Sequence, residues 1–162
     1  MKTKTFHQIL LSITFFFTFS LISFAQTLVT PLNNNTEYIS SFLKKNNFEV
    51  SSITKDYLKI NKIGKTRSIY LDMKENNRYI FFNLAYKVVA GTSKEKIDAF
   101  LKKANDLKMI KTRYFETGNN IQIEYYFWTQ QGYTQESLID AVDEFLLYIG
   151  DCVKADTEKI LI

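Results

Sequence analysis

Side chains suited to nucleophilic, acid–base or metal chemistry are scarce in this chain, and where they fall limits its chemistry. The single histidine is His7 and the single cysteine is Cys152. His7 lies in an amino-terminal stretch with the marks of an export signal. Lys2 and Lys4 come first, then an uncharged run of apolar, Ser and Thr residues from Ile9 to Phe24. Ser23-Phe24-Ala25 offers small residues at the two positions a signal peptidase reads, with Gln26 after the cut. Cleavage there leaves a chain with no histidine, so Ser-His-Asp and Cys-His arrangements and Cys/His zinc sites are out of reach. A lone cysteine also excludes an intramolecular disulfide. Asp140, Asp143 and Glu144 bring three carboxylates close together, but a calcium loop needs ligands alternating along a loop. Here they fall on one side of a predicted helix and read as its solvated face. Acid–base work would rest on Tyr, Lys and carboxylates alone, and no convergent set of them stands out. No catalytic, cofactor-binding or metal-binding residue is therefore assigned, and the chain is not expected to be an enzyme.

The leader also sets the compartment. A membrane-spanning helix needs roughly 20 apolar residues. The run here is shorter and diluted by Ser12, Thr14, Thr18, Ser20 and Ser23. Residues 1–25 are read as a cleaved signal, and the protein as exported, periplasmic or secreted, with no stable membrane insertion afterwards. Removing 25 of 162 residues leaves 137, which suits one domain. Lys2 and Lys4 leave with the signal, so 21 basic residues become 19 against 17 acidic ones, and the net charge falls from +4 to +2. Charges of both signs are interspersed, without the basic stripe that nucleic-acid binding needs. Lys44-Lys45 and Lys102-Lys103 read as helix-surface pairs, and no nucleic-acid partner is expected.

The elements follow from periodicity. Residues 26–35 hold the only proline, Pro31, and three consecutive asparagines, and are expected as a flexible leader. Ile39, Phe42 and Leu43 share one face of a helix from about Thr36 to Asn46. A period-2 block follows: Leu58 and Ile60, then Ile69, Leu71 and Met73, then Ile80, Phe82 and Leu84. A Gly64-Lys65 loop sets Ile60 against Ile69 and Leu58 against Leu71. An Asn76-Asn77 loop sets Met73 against Ile80 and Leu71 against Phe82. Both registers put apolar on apolar, which one-residue slips would not. Thr92-Ser93-Lys94-Glu95 reads as a capping box that starts a helix with Ile97, Phe100, Leu101, Ala104 and Leu107 on its stripe. A second hairpin turns at Thr117–Asn120. Pairing Glu116 with Ile121 would set Arg113 opposite Glu124 and Lys111 opposite Tyr126. Gly132 breaks the last strand, and Thr134 caps a helix striped by Leu138, Val142, Phe145, Ile149 and Cys152. Cys152 then reads either as a buried inert thiol or as an intermolecular disulfide partner. The order α-β-β-β-α-β-β-α defines an α+β domain over 36–155. Its antiparallel sheet has about five strands with helices on one face, and 156–162 form a tail.

The stretch from Ala104 to Tyr148 resembles the bacterial YbjN-like domain, a candidate sensory transduction regulator. The resemblance rests on Asn105 at the end of the middle helix, the Lys111–Phe115 strand, the Gly118-Asn119 turn and the aromatic-rich strand Ile121–Trp128. It continues through Gly132 and a Thr-capped helix carrying Leu138, Ala141 and Phe145. The element order from Thr36 to Val153 agrees as well. The resemblance implies the fold of type III secretion chaperones, which are small dimeric binding proteins. A protein partner, a second copy included, is therefore an expectation, and its identity is unknown.

With the aliphatics on the inner face, Tyr57, Tyr70, Tyr79, Phe81, Arg113, Glu124, Tyr126 and Trp128 fall on the outer one. An open sheet face is usually polar, whereas Tyr, Trp and Arg dominate interface hot spots. These eight residues are the candidate partner surface. The expected function is an exported, non-catalytic, protein-binding or chaperone-like domain. The alternative is an extracytoplasmic carrier of a small apolar ligand held between helices and sheet.

Overall fold

The computed structural model describes residues 27–74 and 78–162. The leader 1–25 and the Asn76-Asn77 turn lie outside the described residues. The elements run β1 (Leu28–Val29), α1 (Thr36–Lys45), β2 (Phe48–Ile53), β3 (Tyr57–Lys62), β4 (Ser68–Lys74) and β5 (Tyr79–Lys87). They continue with α2 (Lys94–Asn105), β6 (Lys111–Phe115), a short 3₁₀ turn (Glu116–Gly118), β7 (Asn120–Trp128), β8 (Tyr133–Thr134) and α3 (Gln135–Ala155).

The architecture is α+β, but the main sheet has six strands where about five were expected. Its order is β2-β3-β4-β5-β7-β6, antiparallel throughout. The added strand is β2, paired with β3 at one edge. Its period-2 pattern is broken by a bulge between Val50 and Ser52, which is why alternation alone does not reveal it.

The β3–β4 register is the expected one, with Ile60 opposite Ile69 and Leu58 opposite Leu71. The turn differs from the expected Gly64-Lys65 loop. Lys65 N–H donates to the Lys62 carbonyl, and Gly64 takes φ +83° within that turn. A side chain at Gly64 would be strained in that conformation. Met73 stands opposite Ile80 and Leu71 opposite Phe82, as the β4–β5 pattern requires.

All three helices place their apolar stripes on the aliphatic face of the sheet. Ile39, Phe42 and Leu43 of α1 are buried, as are Ile97, Phe100 and Ala104 of α2. Leu138, Val142, Phe145, Ile149 and Cys152 of α3 are buried too. Phe145 sets its ring edge-on to Phe82 of β5 at 5.8 Å between centroids. The helix starts are locally encoded. Asn35 accepts from Tyr38 N–H at α1, and Thr134 and Ser137 form a reciprocal capping box at α3. At α2 the cap is Ser93, one residue later than expected, because Thr92 donates its hydroxyl to the Val89 carbonyl instead.

Both flanking segments pack on this domain. The segment 26–35, expected as a flexible leader, contributes from its described residues β1, which pairs with β8 and buries Val29 completely. Gly132, at φ +86°, lets β1 approach, since a Cβ there would lie 3.1 Å from the Val29 carbonyl oxygen. The 156–162 tail returns to β5. Ile162 and Lys87 exchange two backbone hydrogen bonds, Val89 N–H donates to the Ile160 carbonyl, and Ile160 is buried. The Asp156 carboxylate accepts from the Ile160 and Leu161 N–H groups and fixes the tail's bend.

Candidate functional site on the open face of the sheet

The pleat sorts β3, β4, β5, β7 and β6 into two faces. Leu58, Ile60, Ile69, Leu71, Ile80, Phe82, Ile121 and Ile123 point toward the helices, each at most 1% exposed. The alternate residues point away, and all eight candidate surface residues are among them. Their rings form a belt in two groups, a Tyr57–Tyr70 pair and a cluster of Tyr79, Phe81, Tyr126 and Trp128. Tyr57 meets Tyr70 at 5.9 Å, Tyr79 meets Trp128 at 5.6 Å and Tyr126 at 5.4 Å, and Phe81 meets Tyr126 at 5.0 Å. These pairs are tilted or edge-on, the geometry that ring quadrupoles prefer. The belt stays open to solvent: Trp128 is 64% exposed and Tyr126 40%.

Beside the rings lies a polar band built on one buried charge. Glu124 is fully buried although it stands on the outer face. Arg113 donates to its Oε1 from both Nε (2.6 Å) and Nη2 (2.5 Å), and the Tyr126 hydroxyl donates to Oε2 at 3.3 Å. A buried carboxylate needs such partners, because its hydration is lost. The Glu124 hydrogen bond holds the Arg113 guanidinium above its ordinary pKa. The Tyr126 hydroxyl is raised by its own desolvation and then by the Glu124 charge. Across the belt, Asn83 donates to Asp72 at 3.1 Å, and the Lys59 ammonium lies over the Tyr70 ring at 5.7 Å.

The Arg113–Glu124 contact exists, but not by the expected pairing. Strands β6 and β7 are shifted by two residues, so that Arg113 faces Gln122, Lys111 faces Glu124 and Tyr114 faces Ile121. Arg113 reaches Glu124 diagonally, and Lys111 does not face Tyr126. The cause is the loop. Its four residues are Glu116–Asn119, with Asn119 left-handed at φ 44°, so the strands close two residues earlier along the pair. A two-residue slip preserves the faces, so hydrophobic pattern alone does not detect it.

Sequence reading also missed the outward-facing Lys59, Asp72 and Asn83, which share the parity of Tyr57, Tyr70 and Phe81. That parity was the available signal. Phe115, 39% exposed with Arg113 stacked at 5.5 Å, extends the apolar surface toward the β6 edge.

The helical side carries an open groove of about 800 Å³ between the β3–β4 turn and α3. Leu146, Leu147 and Ile149 contribute apolar surface, but Lys62, Lys65, Arg67, Lys154, Asp140, Asp143 and Glu144 also line it. Lys62 and Asp143 pair across it at 2.5 Å. Among the described residues, no group of three or more His, Cys, Asp or Glu side chains is placed to hold a metal ion. No helix of the described residues is long and apolar enough to cross a membrane.

With a six-stranded antiparallel sheet and helices on one face, the chain has a YbjN-like fold. The chain superposes on the crystal structure of E. coli YbjN, a candidate transcription regulator, with a TM-score of 0.68 at 14% identity. The match covers 84% of this chain and 99% of that one. At that identity the likeness establishes the fold. No family model matches the chain, and neither does any curated protein sequence.

Proposed function

We propose that this chain is an exported, non-catalytic, protein-binding domain of YbjN-like type, and that the aromatic face of its sheet takes the partner. The observation that carries the reading is the cluster of Tyr79, Phe81, Tyr126 and Trp128 beside the Arg113–Glu124 pair, with Trp128 and Tyr126 exposed and the Tyr57–Tyr70 pair further along the same face. Monomeric proteins rarely leave contiguous apolar surface open without using it. Tyr, Trp and Arg combine large contact area with few rotamers to freeze, which suits them to interface centres. The Arg113–Glu124 pair, buried on its carboxylate side only, lies beside these rings. Export is read from the Lys2/Lys4, Ile9–Phe24 and Ser23-Phe24-Ala25 pattern, and sequencing the amino terminus of the protein recovered outside the cytoplasm tests it. The groove beside α3 is open to solvent rather than enclosed between helices and sheet, so it gives the carrier reading no closed cavity.

The test of the binding face is the double substitution Tyr126→Ser/Trp128→Ser. It should abolish self-association or capture of an envelope protein while leaving the circular dichroism unchanged. Unchanged sedimentation and unchanged capture by the double variant would remove this face from the account.

A further inference from the structure

The two edges of the main sheet end differently, and one of them ends on a side chain. At the β2 edge the bulge between Val50 and Ser52 disrupts the strand, a common way of keeping an edge from pairing. Strand β6 at the other edge pairs with β7 without a register shift. In an antiparallel pair, alternate residues turn both backbone groups toward the neighbour and the residues between turn both away. Thr112 turns away from β7, and its groups are taken by Asn105. Thr112 N–H donates to Asn105 Oδ1 at 2.7 Å, and Asn105 Nδ2 donates to the Thr112 carbonyl at 3.1 Å. A primary amide offers one acceptor and one donor side by side, as the backbone of a neighbouring strand would.

The placement is built in by the fold. Asn105 is the last residue of α2, and the short connection to β6 returns the chain through Met109, which is left-handed at φ 71°. Asn105 is itself exposed, whereas Thr112 is only 3% exposed. An exposed side chain adds little to the core, so its contribution lies in these two hydrogen bonds. Tyr114, two residues further on, turns its backbone groups the same way.

We propose that Asn105 is an edge lock: by occupying both backbone groups of Thr112 it keeps β6 from pairing with β6 of a second copy. An antiparallel pairing of identical strands is self-complementary and closes on a two-fold axis, so a second copy is the occupant an open β6 edge fits. This inference stands apart from the aromatic-face reading, since β6 pairing uses backbone groups in the plane of the sheet.

The test compares the full chain with Asn105→Ala and Asn105→Asp by sedimentation over a range of concentrations. In Asn105→Ala, freeing two backbone groups, each worth about 1 kcal/mol when paired, should tighten self-association roughly tenfold to a hundredfold; Asn105→Asp, whose carboxylate still accepts from Thr112 N–H, frees only the carbonyl and should tighten it less. Adding Tyr114→Pro, which removes a second outward N–H, should return the variants to wild-type sedimentation. In wild type the Thr112 amide should exchange slowly with solvent; in Asn105→Ala it should exchange fast at low concentration and slowly once the variant associates. Folded variants that sediment as wild type overturn the proposal, as does association that Tyr114→Pro leaves intact. If both Asn105 variants unfold, Asn105 is a folding residue and the lock is likewise overturned.

Discussion

The two faces of this one sheet are both rich in apolar side chains, yet they are covered differently. On the helical face, Leu58, Ile60, Ile69, Leu71, Ile80, Phe82, Ile121 and Ile123 are sealed under three helices. On the other face the rings of Tyr79, Phe81, Tyr126 and Trp128 touch one another, and no described element covers Trp128 or Tyr126. Branched aliphatics fill a covered layer, whereas rings with polar edges tolerate water on one side. Stability is therefore concentrated on the inner face, and exposed ring surface on the outer one.

The sharpest way to break that contrast is Phe82→Ala. Phe82 is fully buried and meets Tyr125, Phe127 and Phe145. Its truncation should cost about 3–5 kcal/mol, read from the urea midpoint; a loss no larger than that of an outer-face substitution would erase the distinction.

Next in size is Arg113→Ala, which leaves Glu124 buried and without its cation. A loss of about 2 kcal/mol is expected, discounted because Arg113 is 46% exposed. Glu124→Gln should cost less, since Arg113 then turns to water. Equal losses for the two variants in thermal unfolding would mean that the pair is not anchored by the buried carboxylate.

Trp128→Ser alone should change stability by only about 0.5–1.5 kcal/mol, the value of a ring pair. In the wild type, Trp128 is the single tryptophan. Its fluorescence should be readily quenched by acrylamide in the free protein and protected when the face is occupied. Protection in the dilute, unpartnered chain would show this face to be already covered.

The smallest expected effect concerns Cys152 in the covered layer. Burial pushes its thiol from 9.0 up to about 12. The folded state thus favours the neutral thiol, a contribution fully present below pH 9 and lost as the pH rises toward about 12. Iodoacetamide at about pH 8 should leave Cys152 unmodified in native protein and alkylate it in denaturant, as read by intact mass. Native-state labelling would place the thiol within reach of a disulfide partner.

Much of this architecture was legible in residue order. The β3–β4 and β4–β5 registers followed from alternation, because a one-residue slip would have turned Leu58, Leu71 and Phe82 to solvent. The α3 stripe was readable for the same kind of reason, as was the assignment of the eight candidate residues to the outer face. The β6–β7 register was not, since a slip of two exchanges one aromatic or charged neighbour for another on the same face. Strand β2 was hidden by its bulge. Glu124 gave no sign of burial, because a carboxylate on an outward position ordinarily meets water.

The sequence by itself determined the local order of helices and strands, their faces, and the absence of histidine beyond His7, because these depend on side-chain type and spacing. The tertiary structure decided what distant segments do to one another. It docked β1 on β8 and the tail on β5, drew Arg113 diagonally onto a buried Glu124, and set Asn105 against the edge of β6. Backbone pairing between distant segments leaves little trace in side-chain pattern, because every residue but proline carries the same donor and acceptor.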